Sequence, residues 1–159
     1  MPRFDAATFR TVLGHFCTGL TIVTAVDLGE PVGLTCQSFA SVSLDPPLVL
    51  FVAARSSYSW PRIRSAGSFC ANVLSDHQEH LGRSFAMKGA DKFAGVGWRS
   101  GATGSPILDG CLAFVECELD AVHEAGDHDI AVGRVVDLGL ADEGKPLLFY
   151  RGGYGRFAV

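Results

Sequence analysis

The sequence predicts a mainly β protein, an antiparallel barrel with a few peripheral helices, on three observations. Six or seven segments either alternate apolar with polar side chains or run as short apolar stretches rich in β-branched residues. Turn signals separate them at Asp27-Leu28-Gly29-Glu30, at Asp45-Pro46-Pro47 and at Gly126-Asp127-His128. Helical patterns are too few to alternate with the strands, which argues against a parallel doubly wound sheet. At 159 residues the chain suits a single domain, 1–159, large enough to bury its own core.

Taken in order, Asp5 is a good N-cap for a helix whose apolar stripe is Phe9, Val12, Leu13 and Phe16, and Gly19 breaks that helix. Residues 20–26 and a strand around Val32 form a hairpin across the Asp27–Glu30 turn. In the second strand Val32, Leu34 and Cys36 face the core, with Gly33, Thr35 and Gln37 on the other side. A hydroxyl-rich loop with Ser38, Ser41 and Ser43 follows, and after the proline turn a strand runs over 48–53. Ser59 and Pro61 open a short helix ending near Gly67, before a strand over 69–74. Ser75 and Gln78 form a capping box for a helix over 76–87. Residues 88–109, glycine-rich and without periodicity, read as an irregular surface loop. Over 111–122 the pattern turns Ala113, Val115, Cys117 and Leu119 inward, and Glu116, Glu118 and Asp120 outward. Strands over 130–140 and 147–150 complete the chain.

Charge and composition narrow the function. Thirteen basic against seventeen acidic residues give a net charge of -4 with no basic cluster, which argues against a sequence-independent grip on nucleic acid. A hydrophobic share of 48% and a mean hydropathy of +0.25 suggest apolar surface covered by a partner subunit. The start of the chain lacks a secretory layout, and the longest uncharged apolar run, 46–54, falls far short of the roughly 18 residues of a membrane span. A soluble, cytoplasmic protein is expected. Cys17, Cys36, Cys70, Cys111 and Cys117 form no Cys-x-x-Cys pair and read as buried free thiols. His77 and His80 share a helix face without zinc-motif order, so they read as solvated and no metal is expected. Neither a Rossmann nor a phosphate-loop glycine pattern occurs, nor a paired-carboxylate or Ser-His-Asp arrangement.

What remains is the uncharged segment 33–47. A glycine beside Thr35 and Gln37, followed by serines, lets a flat polar molecule approach the backbone and find neutral donors and acceptors. Arg55, Ser56 and Ser57 precede a helix N-terminus, where they either hold a phosphate or, for Ser57 and Ser59, simply cap the helix. Lys92 reads on its own as an exposed loop charge. His128, after a glycine turn, is either a surface turn residue or an imidazole placed to hydrogen-bond a carboxamide. Tyr150 and Tyr154 flank Gly152-Gly153 and either cover a planar ring or pack as core.

Residues 33–51 resemble the most diagnostic block of the flavin reductase family, the small partners of two-component flavin-dependent monooxygenases. The resemblance continues through 55–63, 69–74, 91–93, 126–128 and 146–150, and so covers nearly the whole chain. It implies a split β-barrel of the FMN-binding, Greek-key antiparallel type, and a homodimer with its flavin site near the subunit interface. It implies reduction of FAD or FMN by NADH or NADPH and release of the reduced flavin to a monooxygenase component, closest to actinobacterial NADH:FAD reductases. Thr35, Gln37 and Ser38 would then orient the flavin's polar rim, with Cys36, Ser41 and Val42 also at the cofactor, and Arg55, Ser56 and Ser57 would hold its phosphate. Phe85 and Lys92 would lie along the phosphate and adenine side, and His128, with Asp127, would place the nicotinamide as the catalytic residue. Asp129, where relatives usually carry a neutral residue, is expected to alter NADH affinity. A non-catalytic split-barrel module that stores or senses flavin or haem is the alternative, and an oxidase resembling the pyridoxamine phosphate oxidases a third. The Gly126-Asp127-His128 turn favours the reductase.

Overall fold

The structure is a computed structural model that describes residues 2–89 and 91–158. Asp5 caps α1 (Ala6–Leu13) by accepting the Thr8 amide at 2.7 Å. The short strand β1 (Thr18–Gly19) leads into the expected hairpin of β2 (Thr21–Asp27) and β3 (Glu30–Cys36). Its turn holds Leu28 and Gly29 at φ of 52° and 79°, the left-handed conformation that matches the twist of two paired strands.

The hydroxyl-rich loop expected after β3 is in fact a strand, β4 (Phe39–Leu44), paired with β5 (Pro47–Ala54). As an edge strand with most of its side chains exposed, β4 has no buried face to impose an apolar alternation on its sequence. The turn between them contains a cis Asp45–Pro46 peptide. Helix α2 (Trp60–Ala66) ends at Gly67 in the left-handed conformation, φ 76°, and β6 (Ser68–Val73) follows.

Helix α3 (Glu79–Phe85) is shorter than the expected 76–87. Half of the capping box forms, the Ser75 amide donating to Gln78 Oε1 at 2.9 Å, but three residues early, before the helix begins. The stretch expected to be irregular, of which Ala90 lies outside the described residues, contains a hairpin of β7 (Trp98–Ser100) and β8 (Pro106–Leu108). The long pair β9 (Ala113–Ala125) and β10 (His128–Leu140) precedes β11 (Leu147–Tyr150), and a further strand, β12 (Gly153–Arg156), pairs with β11. No described helix is long and apolar enough to cross a membrane.

Seven strands form one antiparallel sheet in the order β3-β2-β6-β9-β10-β5-β4. The sheet curls until β3, at one edge, comes beside β5 near the other. There Ser38 stitches the seam: its Oγ donates to the Val52 carbonyl at 2.9 Å and accepts the Val52 amide at 3.1 Å. The result is a split β-barrel. Phe51 stands edge-on to both Trp60 and Phe69, at ring distances of 5.5 and 4.9 Å, in the core that also holds Val23, Ile63 and Cys117. A second cluster, with Ile22, Leu74, Leu81, Phe85 and Leu147, packs α3 and β11 against the outside of the sheet.

Three expectations about side-chain placement are corrected. Glu116 is fully buried rather than outward, because the β7–β8 hairpin covers that face and the amides of Ala102 and Thr103 and the Thr103 hydroxyl donate to its carboxylate at 2.7, 3.1 and 2.9 Å. Cys17 is exposed, whereas Cys36, Cys70, Cys111 and Cys117 are buried, all of them free thiols. The first helix ends at Leu13 with Gly14 as its C-cap, short of the expected break at Gly19. The stripe therefore keeps Phe9, Val12 and Leu13 but not Phe16, and all four lie exposed in the isolated chain, as do Val42, Leu44, Leu138 and Leu140.

Candidate active site

A cleft of about 430 Å³ opens at the seam between β3 and β5. The ends of those strands supply Leu34, Thr35, Cys36, Gln37 and Ser38 on one side and Val52, Ala53 and Ala54 on the other. Ser56, Ser57 and Tyr58 form one end; Phe85, Ala86, Met87, Lys88 and Lys92 form a wall; and His128 stands beside Ala54, its partner across the β10–β5 ladder. Nine sequence-predicted residues thus meet in one place: Thr35, Cys36, Gln37, Ser38, Ser56, Ser57, Phe85, Lys92 and His128.

Their hydrogen bonds separate those that build the cleft from those free to meet a ligand. Thr35 Oγ1 donates to the Gly82 carbonyl at 2.7 Å, which ties β3 to α3. Ser38 is committed to Val52, and Cys36 Sγ lies 3.1 Å from Ser38 Oγ, its thiol pushed up in pKa chiefly by burial. Lys92 Nζ donates to the Gly33 carbonyl at 3.1 Å, the Phe85 carbonyl at 3.0 Å and Ser59 Oγ at 3.2 Å, so all three ammonium protons are spent inside the protein. Burial lowers its pKa. Ser57 Oγ accepts the amides of Ser59 and Trp60, both at 3.2 Å, and so is the residue that caps α2, while Ser59, at the N-cap position, makes no capping bond. The Ser57 hydroxyl proton has no acceptor among the described residues. Gln37 is exposed, and among the described residues neither its amide nitrogen nor the hydroxyl of Ser56 has a partner.

Gly33 serves a different purpose from the one its neighbours suggested. A β-carbon there would lie 2.9 Å from the Phe85 ring, so the missing side chain makes room for Phe85 and not for a ligand.

Other predicted residues lie elsewhere. Ser41 and Val42 are exposed on β4 outside the cleft lining. Arg55 turns away from Ser56 and Ser57 to pair with Asp129 and Glu124, both at 3.0 Å. Asp127 is exposed at the turn and holds His128 Nδ1 at 2.7 Å, a contact that lowers the Asp127 pKa. Tyr154 packs as core against Phe149 and Gly82 with the Arg83 guanidinium over its ring, and Tyr150 sits edge-on to His15 at the end of β11. Asp129 points to the opposite face from His128, where its buried carboxylate pairs with the partly exposed Arg55 guanidinium. His80 is exposed on α3 and His77 on the turn before it, so both are solvated as read but do not share a helix face. The sequence reading missed Tyr58 and Met87, whose large exposed side chains flank the cleft mouth, and Lys88 beside them. Their exposure depends on the fold, so no signal in the sequence singles them out.

A cleft at the seam of a split barrel, lined by hydroxyls before a helix, a neighbouring imidazole and two lysines, defines a flavin-handling split-barrel protein. The chain belongs to the flavin reductase family: the sequence profile of the flavin reductase like domain matches residues 13–158. It is similar to the reductase subunit HsaB of a flavin-dependent monooxygenase from Rhodococcus jostii, 53% identical over 94% of this chain and 77% of that protein. Among solved structures, the homologue of nitrilotriacetate monooxygenase component B from Mycobacterium thermoresistibile superposes with a TM-score of 0.93, 49% identity, and 97% and 87% of the two chains covered. The NADH:FAD oxidoreductase SgcE6 of Streptomyces globisporus, solved in complex with NAD and FAD fragments, superposes with a TM-score of 0.91, 38% identity, and 97% and 93% covered.

The residues present fit a flavin. The volume lies within the few hundred Å³ usual for small-molecule sites. The unspent donors are neutral where a ring's polar rim would lie, and hydroxyls with a lysine nearby stand where a phosphate would lie.

Proposed function

We propose that this protein is an NADH-dependent flavin reductase that reduces FAD or FMN by hydride transfer and hands the reduced flavin to a separate monooxygenase. The observation that carries the reading is the convergence of Gln37, Ser56, Ser57 and His128 on one cleft that offers neither a strong nucleophile nor a pair of carboxylates. Such a site is suited to stacking two planar rings, the flavin accepting at N5 the hydride that the nicotinamide gives up from C4. The chain's own work is binding and orientation. Gln37 and the β3 backbone orient the ring's polar edge, the hydroxyls of Ser56 and Ser57 hold the phosphate, and His128, fixed by Asp127, places the carboxamide of the nicotinamide. Lys92 contributes by field and by holding the wall, since its protons are spent on Gly33, Phe85 and Ser59.

The exposed apolar side chains of α1, β4 and the far end of β10 favour a homodimer that covers them. Five unpaired cysteines suit the reducing cytoplasm. The test is loss of NADH absorbance on adding FAD, FMN or riboflavin in turn to the purified protein, then NADPH with the best flavin. Rapid flavin-dependent oxidation is expected. Flavin binding without any oxidation would overturn the reductase and leave the storage or sensing module.

A further inference from the structure

We infer that Asp129 is a positioning residue that clamps segment 55–60, which carries Ser56 and Ser57, to the strand that carries His128. The inference rests on the proposed flavin site. Side chains alternate along β10, so Asp129 leaves the strand on the face opposite His128, towards α2. There, only 4% exposed, its carboxylate accepts Trp60 Nε1–H at 2.9 Å and Arg55 Nε–H at 3.0 Å, with the Arg64 guanidinium at 3.7 Å.

Arg55 and Trp60 are the two ends of the loop that holds Ser56 and Ser57, so a single carboxylate pins that loop at both ends. The clamp is reinforced around it. The Arg55 amide donates to the Asp127 carbonyl at 3.0 Å, Ser57 Oγ accepts the Trp60 amide, and the Trp60 ring, 2% exposed, abuts Phe51 in the core. Glu124 takes the other side of Arg55 at 3.0 Å but is itself mostly exposed, so it is the weaker pole. Asp129 is already faced by two guanidiniums and an indole N–H; it acts on the cleft through geometry rather than through charge on the nicotinamide.

The clamp makes a prediction that a general structural role does not. Phosphate held by Ser56 and Ser57 depends on the loop, whereas the ring does not, so FMN and riboflavin respond differently. In Asp129→Ala, measured by quenching of flavin fluorescence, affinity for FMN is expected to fall about tenfold while that for riboflavin moves less than about twofold. In the ligand-free protein, hydrogen exchange is expected to quicken at 55–60 and at 127–129 together and to stay unchanged in β2 and β6. Asp129→Asn, which keeps an acceptor for Trp60 but no charge for Arg55, should fall between. If Asp129→Ala does not fold, Asp129→Asn and Arg55→Gln carry the same comparison. Equal losses for both flavins, or unaltered exchange at 55–60, would overturn the clamp. Wild-type protein that binds neither flavin would overturn the proposed site instead, and the exchange measurement would still decide the clamp.

Discussion

The ring of Phe85 fills the space in which a side chain at position 33 would stand. A β-carbon on Gly33 would lie 2.9 Å from one ring carbon and 3.2 Å from the Val23 carbonyl, with no slack on the strand side. Gly33→Ala therefore forces Phe85 outward and, with it, the end of α3 that forms the cleft wall. Overpacking of this kind costs about 1–3 kcal/mol. Urea unfolding should show a loss in that range, together with weaker flavin binding.

Lys92 joins three elements at once, through carbonyls of β3 and α3 and the hydroxyl of Ser59 before α2. In Lys92→Met these acceptors lose their donor, at about 1–3 kcal/mol for partly buried groups. None of the three acceptors is a carboxylate, so screening has little to act on. The stability difference between wild type and variant should stay nearly constant between low and moderate salt, in contrast to the exposed Arg83–Glu79 pair on α3.

Glu116 does not line the cleft and serves as a control. Its buried carboxylate accepts two amides and a hydroxyl from the β7–β8 turn, and Gly101 there has no room for a β-carbon against it. Glu116→Gln replaces one accepting oxygen by a donor that faces other donors, with an expected loss of about 2–3 kcal/mol. Flavin affinity of the folded protein should be unchanged.

Burial raises the pKa of Cys36, Cys70, Cys111 and Cys117, that of Cys117 to about 12, so little thiolate forms in any of them at neutral pH. A thiol reagent at pH about 7 should modify at most one of the five cysteines rapidly in the native protein, namely Cys17, and all five after unfolding. Rapid modification of two or more without unfolding would contradict the core packing.

The Asp129 carboxyl is held below its ordinary value of 3.8, first by the Trp60 indole N–H and then by Arg55. A carboxyl with a depressed folded pKa stabilises the fold above its unfolded value, and that stabilisation is lost as pH falls through the folded one. Acid unfolding followed by tryptophan fluorescence should therefore show a shallower dependence on pH below about 4 in Asp129→Asn than in wild type.

Much of the barrel was legible because its signals are local. The β2–β3 hairpin announces itself by its turn and by Val32, Leu34 and Cys36, which are all buried as read. Thr35, Gln37, Ser38, Ser56, Ser57 and His128 were legible as a group through the resemblance, and the fold brings them to one cleft. What was not legible depends on contacts between distant segments. Nothing near Glu116 signals that residues 101–104 fold over it, and nothing near Arg55 signals that Asp129 draws it away from the serines. Strand β4 was missed because an exposed edge needs no apolar alternation. The role of Lys92 was missed because its three acceptors, two of them carbonyls, come from residues 33, 59 and 85.

The most direct test of the central claim, that the cleft at the β3–β5 seam is where a nicotinamide is set against a flavin, is anaerobic rapid mixing of protein and flavin with increasing NADH. The bleaching of the flavin's visible band would be compared between wild type and His128→Ala. The account predicts rapid bleaching by wild type, and in the variant unchanged flavin binding with about five- to tenfold more NADH needed for the half-maximal rate, the worth of one hydrogen bond. No bleaching by wild type, or a variant with the same NADH dependence, would contradict it.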